Sequence, residues 1–323
     1  MDPRIIEMIS TAVKPYKIVG KPGETVAIVT DTRVEPIVWQ VFAMAARTVG
    51  VTPTVGIMLP DELDYADPPS PIQKMVEGAD IVQYCASRGL VHTPWGRKVT
   101  QMGKKRVNSD GVTARMLVEG AALADPEEIL KWRLKVRPVW DNGNEVHITS
   151  PYGTDLRVGI KGHYTYATAK SELVSVVNAQ FPGGEEACTP QENTGTGVVV
   201  VDKCVPHPTG LLLHPIEIHL VDGKIVDIRG KNEADDFRRW LDSVGDENSR
   251  TICELSIGCN PRAIFMGSMR QDRFVLGSSH VGFGGNADLG GTIVSRTHFD
   301  VIMSQPTVVI DGNTVVKDGK MMI

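Results

Sequence analysis

Thr25-Val26-Ala27-Ile28-Val29 is a continuous apolar run, preceded by Gly23 and followed by Thr30-Asp31. A short apolar run between turn residues predicts a strand. Working outward, Val38–Val49 has helical apolar spacing, Thr52–Leu59 reads as a second strand, and a helical segment around 71–77 leads into a third strand over Ala79–Tyr84. Lys105–Val107 is a short fourth strand, and Ala114–Ala124 and Glu127–Val136 have the patterns of helices. Ahead of the first strand, Ile5, Ile6, Ile9 and Val13 share one face of a short helix that Pro15 is expected to close. Alternating strand and helix predicts an α/β domain with a parallel sheet and helices on both faces. No GxxxxGK[ST] occurs in this half, and Thr30-Asp31-Thr32 stands where a GxGxxG would follow the first strand. Nucleotide binding therefore has no support from the residues.

Composition changes at the turn signal Asp141-Asn142-Gly143-Asn144. A boundary there gives an α/β domain over 1–140 and a second domain over 141–323. Beyond it, paired strand patterns flank turn residues: Glu145–Thr149 with Asp155–Ile160, Ile216–Leu220 with Lys224–Arg229, and Thr307–Ile310 with Thr314–Lys317. One helix interrupts them, with Phe237, Trp240, Leu241 and Val244 at helical spacing and Gly245 placed to cap it. The second domain is expected to be α+β and mainly antiparallel.

The 323 residues are 41% hydrophobic and 23% charged, with a formal net charge of -5. Lys104-Lys105-Arg106 is the longest basic run, which argues against nucleic acid as a partner. The first seventeen residues lack the apolar core of a signal peptide. No stretch approaches the ~18 apolar residues of a membrane span. Cys85, Cys188, Cys204, Cys253 and Cys259 are odd in number and have no CxxC spacing, which suggests a reduced, cytoplasmic setting with the thiols as small buried groups.

His298-Phe299-Asp300 is the sharpest chemical signal. In an extended segment His298 and Asp300 point to one face and Phe299 to the other, toward the core. Imidazole and carboxylate suit Zn²⁺, Mn²⁺, Co²⁺ or Fe²⁺. His280 lies in a glycine-dense segment, with five glycines between 282 and 291, which reads either as a flexible loop or as backbone brought close to a ligand. Glu254 sits in an apolar strand and needs a partner there, either a metal or a cation such as the nearby Arg262. Glu185 and Glu186 follow Pro182-Gly183-Gly184 on an expected turn, either both solvated or as one ligand and one base. His92 follows the third strand at the end where open α/β sheets bind ligands, which makes it a candidate to reach a substrate.

Four stretches in order resemble the metal-dependent aminopeptidases of the aminopeptidase T and S type. They are Ile148–Leu156, Phe181–Glu185, Glu254–Pro261, and His280 followed by Thr297–Val301 and the hairpin at Pro306-Thr307-Val308. The first domain agrees more loosely, through His92-Thr93-Pro94. The resemblance implies that Glu185, Glu254, His280, His298 and Asp300 are metal ligands and that the subunit is a two-domain homodimer; Glu185, Glu186 and His92 stand from the residue reading as the catalytic candidates, with a small molecule as substrate. Two positions depart from the aminopeptidase pattern: Val275 stands for a glutamate and Ala287 for a tyrosine. The same fold family contains the 2,5-dihydroxypyridine dioxygenases, whose iron is held by two histidines and an aspartate. This chain matches their HxD pair at His298 and Asp300 and has Glu254 at the place of their other histidine. The resemblance implies a metal-dependent hydrolase of aminopeptidase type acting on a small amide, amine or peptide-like substrate through a metal-activated water. The alternative is a mononuclear Fe²⁺ ring-cleaving dioxygenase acting on a dihydroxypyridine-like compound.

Overall fold

The computed structural model describes residues 3–60, 66–91, 93–162 and 178–323. They fall into two compact units, one holding 3–123 and 178–183, the other 124–162 and 184–323.

In the first unit the Thr25 run becomes β1 (Thr25–Asp31), buried along nearly its whole length. It pairs in parallel with β2 (Thr52–Met58) and β3 (Ile81–Cys85). Strands β4 (Lys105–Asn108) and β7 (Asn178–Gln180) extend the sheet, also in parallel, to the order β2-β1-β3-β4-β7. The last strand comes from far along the chain, so sequence order could not reveal it. Helices α3 (Ser70–Glu77) and α4 (Pro94–Gln101) cover one face, where Ile72, Val76, Trp95 and Val99 pack on Ala27, Val29, Val82 and Tyr84. Helices α1 (Pro3–Val19) and α2 (Pro36–Thr48) pack together edge to face through Tyr16 and Phe42.

Two local expectations give way. Helix α1 continues through Pro15 to Val19. A proline removes one helical hydrogen bond, and burial of Tyr16 and Val19 beyond it holds the last turn. Ala114–Ala124 forms two short 3₁₀ turns, Arg115–Leu117 and Gly120–Leu123, in place of an α-helix. Gly120, which opens the second turn, has φ +80°, which no α-helix accommodates.

The second unit begins with α5 (Pro126–Asn142), which Asp125 caps by accepting from Glu127 N. This helix precedes the composition change at 141 yet belongs with the strands that follow. An eight-stranded antiparallel sheet is built from β5 (Glu145–Thr149), β6 (Asp155–Gly159), β9 (Thr196–Val201), β10 (Ile216–Val221), β11 (Lys224–Arg229), β15 (Thr307–Ile310), β16 (Asn313–Lys317) and β17 (Lys320–Met321). Their order is β11-β10-β9-β6-β5-β15-β16-β17. All three expected hairpins are present. A second sheet, β14-β13-β12-β8, contains β8 (Glu185–Cys188), β12 (Ile252–Gly258), β13 (Ser279–Gly284) and β14 (His298–Met303), again antiparallel. Helix α6 (Asn232–Val244) ends at Gly245, left-handed at φ 63°, as its sequence predicts.

One hydrophobic core joins both sheets to α5 and α6. Phe299 packs at 5.1 Å from Trp240, 5.6 Å from Phe283 and 5.8 Å from Phe237. Its burial fixes the orientation of β14: Phe299 faces the core, so His298 and Asp300 face away from it. No described helix is long and apolar enough to cross a membrane.

Candidate metal centre

Cross-strand register brings the candidate ligands to one face of the four-stranded sheet. Glu254 on β12 and Asp300 on β14 both stand opposite Gly282 of the middle strand β13. His298 stands opposite Gly284, and His280 opposite Ser256 and Ile302. Glu185 at the start of β8 stands opposite Gly258. Residues paired across an antiparallel ladder share a face, so five ligating side chains project into a patch otherwise made of glycine, Ser256 and Ile302.

The hollow is required by the packing. A Cβ built on Gly282 would lie 2.7 Å from Glu254 Cβ and 3.3 Å from Asp300 Oδ1. The glycine-dense segment is thus partly strand, and its glycines make room for neighbouring carboxylates. Gly282→Ala is expected to push Glu254 and Asp300 apart. Misplacement of reacting groups by about 1 Å costs on the order of 10²-fold in rate. The check is metal titration and turnover of the variant beside circular dichroism; unchanged metal binding would show that the cradle is dispensable.

The ligand atoms converge closely. His298 Nε2 lies 3.0 Å from Glu254 Oε2 and 3.5 Å from Asp300 Oδ1. His280 Nε2 lies 3.4 Å from Glu254 Oε1 and 3.8 Å from both Glu185 Oε2 and Asp300 Oδ1. Two overlapping groups result, Glu254–His298–Asp300 and Glu185–Glu254–His280, each with ligand atoms within 4.8 Å of one another. Glu254 belongs to both. His298 Nδ1 donates to Gly285 O at 2.8 Å, which leaves Nε2 of the neutral ring as the coordinating nitrogen. Asp300 Oδ1 is buried and accepts no hydrogen bond. An orphaned carboxylate oxygen beside two imidazoles fits a divalent cation of the Zn, Mn, Co or Fe kind.

Without a metal, the groups shift one another's proton affinity. Burial would raise Glu254, but hydrogen bonds from His280 and His298 outweigh it and bring the carboxyl to about 2. Burial opposes the charged form of both imidazoles too, yet Asp300 and Glu254 hold His280 above its ordinary value, and Cys253, Asp300 and Glu254 hold His298 well above. Asp300 lies well below the usual carboxylate range through His280, His298 and Arg273, against its burial. Glu185 is the exception: burial raises it, more than Arg273 and His280 lower it. A metal must displace the protons on the raised imidazoles. Affinity is therefore expected to rise with pH through neutrality, by about tenfold per unit for each proton released. Chelator competition at several pH values measures this, and a flat profile would contradict it.

Glu185 and Glu186 lie in a strand, both buried, where the sequence suggested a turn. They point to opposite faces. Glu186 turns toward the core, where Arg133 Nε of α5 donates to Oε2 at 2.9 Å, and the structure does not bring it to the cluster. Arg262 is exposed and does not serve Glu254. The cation in the cluster is Arg273, with Nη1 donating to Asp300 Oδ2 at 2.9 Å and Nε 3.7 Å from Glu185 Oε2. Sequence reading missed it, because Met269–Asp272 before it is a short polar helical turn with no periodic pattern. The imbalance of three carboxylates against no assigned cation was the available signal. His92 lies outside the described residues. The five cysteines are buried free thiols.

Residues 10–323 match the family model of NicX, 2,5-dihydroxypyridine 5,6-dioxygenase. The chain belongs to the NicX family. It also has the fold of a 2,5-dihydroxypyridine dioxygenase from Pseudomonas putida KT2440, with TM-score 0.80 and 18% identity over 98% of this chain and 97% of that one. AmpT from Thermus thermophilus has the same fold at TM-score 0.65 and 18% identity, over 98% of this chain and 99% of that one. No curated protein matches the chain in sequence. As a NicX-family enzyme with this cluster, the protein uses a divalent metal ion as its cofactor.

Proposed function

We propose that the protein is a mononuclear Fe²⁺ dioxygenase that opens a small hydroxylated nitrogen heteroaromatic ring. The observation that carries this reading is the NicX match over 10–323. The site chemistry supports it: His298 and Asp300 supply an imidazole and a carboxylate to one point, ligand types that suit Fe²⁺, and a second imidazole, His280, lies 3.8 Å from the same Asp300 oxygen. Glu254 and Asp300 with His298 hold the ion, and His280 stands beside them, 3.4 Å from the second oxygen of Glu254. Glu254 marks a departure from the dioxygenase ligand pattern, since it takes the place of a histidine. Bound Fe²⁺ supplies the redox chemistry that joins dioxygen to the ring. Glu185 is the residue suited to move a proton, because burial raises its carboxyl above the ordinary carboxylate value while its neighbours Glu254 and Asp300 stay charged. Glu186, held by Arg133, has a structural role.

A second reading is a single-metal hydrolase of small amides. It is favoured by the presence of Glu185 and Glu254 as carboxylates beside the imidazoles, a ligand and a general base for a metal-activated water. Oxygen uptake separates the two. Anaerobically Fe²⁺-loaded protein is expected to consume dioxygen in step with loss of 2,5-dihydroxypyridine or a close analogue. Turnover of amides or peptides with no oxygen uptake would establish the hydrolase instead.

A further inference from the structure

The two overlapping ligand groups that share Glu254 have the composition of a site for two cations, and one cation is already part of the chain. Arg273 reaches into the cluster between Glu185 and Asp300, the carboxylates at its two ends. The residues on both sides of it along the chain are held in place. Asp272 accepts from Met266 N at 2.8 Å and Gly267 N at 2.9 Å, while Phe274 O accepts from Asn260 N at 2.9 Å. The Phe274 ring lies 4.9 Å from the guanidinium carbon. The arginine is therefore preorganised rather than a long side chain that happens to fold inward.

We propose that Arg273 acts as a built-in second cation that closes the Glu185–Glu254–His280 group to metal and restricts the centre to one ion at Glu254–His298–Asp300. The inference rests on reading the cluster as a metal centre. Three carboxylates and one guanidinium leave two negative charges, the amount that one divalent ion neutralises. A second divalent ion would meet the fixed charge of Arg273, which cannot lose its proton to make way. Asp300 Oδ2 is engaged by Nη1, so only Oδ1 remains for the ion. Arg273 is in this sense a positioning residue, setting both the number of ions and which Asp300 oxygen meets the one that binds.

The test is metal stoichiometry. Wild type, Arg273→Met and Arg273→Lys are titrated with Mn²⁺, and bound ion per chain is measured by elemental analysis and electron paramagnetic resonance. Wild type and Arg273→Lys should saturate at one ion with an uncoupled spectrum. Arg273→Met should take two ions, spin-coupled through Glu254, and adding Glu185→Gln should return it to one. A folded Arg273→Met that still binds one ion, or that loses all metal, overturns the proposal. If that variant does not fold, excess Mn²⁺ on wild type decides: a second ion coupled to the first overturns the proposal, and saturation at one sustains it. Wild type that binds no divalent ion at all would refute the metal centre itself, a result distinct from either stoichiometry.

Discussion

Glu254→Ala is expected to cost more metal affinity than any other single change in the protein. Glu254 alone belongs to both ligand groups, and its two oxygens face the two imidazoles, Oε2 to His298 at 3.0 Å and Oε1 to His280 at 3.4 Å. Removing it takes away a ligand and also the group that orients two others. Loss of an outer partner of a metal ligand alone costs about 10–100-fold in affinity, and loss of this shared carboxylate should exceed that range. Competition against a chelator, with circular dichroism to show that the sheet is intact, measures the effect. Affinity within about tenfold of wild type would place the metal elsewhere, because outer partners alone can cost that much.

Arg133→Ala is expected to be the most destabilising single substitution outside the cluster. Arg133 and Glu186 form an ion pair with side-chain exposures of 6% and 0%. Trp140 Nε1 and Ser256 Oγ donate to the backbone carbonyl of the same Glu186, so the pair sits where α5 meets the sheet. Deleting one partner of a buried pair leaves the other charge without compensation, at a cost of about 3–5 kcal/mol. Urea denaturation measures the change. Replacing both residues with apolar side chains of similar volume should cost much less, since paired burial gives little net stability by itself. Folded Arg133→Ala should keep its metal, because Glu186 and Glu185 point to opposite faces of β8. A loss under about 1 kcal/mol, the worth of an exposed pair, would mean that water reaches Glu186 in the native protein.

The parallel sheet was legible in the apolar run at Thr25 and its successors because a strand covered by helices carries its burial in its own sequence. The contribution of β7 was not legible, because a three-residue strand has too few positions to show a period. The centre was partly legible. His298-x-Asp300 shows its geometry locally, since a two-residue period puts both on one face, and Phe299 in the core confirms that orientation. His280, Glu254 and Glu185 come from three other strands, and only the register across Gly282 and Gly258 makes them neighbours. Arg273 and the opposed directions of Glu185 and Glu186 depend on tertiary packing. No pattern in the chain distinguishes the part-buried Arg273 from the exposed Arg262.

The central claim is that Glu254, His298 and Asp300 hold one divalent ion. It is tested most directly by the metal content of protein loaded anaerobically with Fe²⁺, wild type beside His298→Ala. One ion per chain in wild type and none in the folded variant is the predicted result. Retention of the ion by folded His298→Ala would contradict the account.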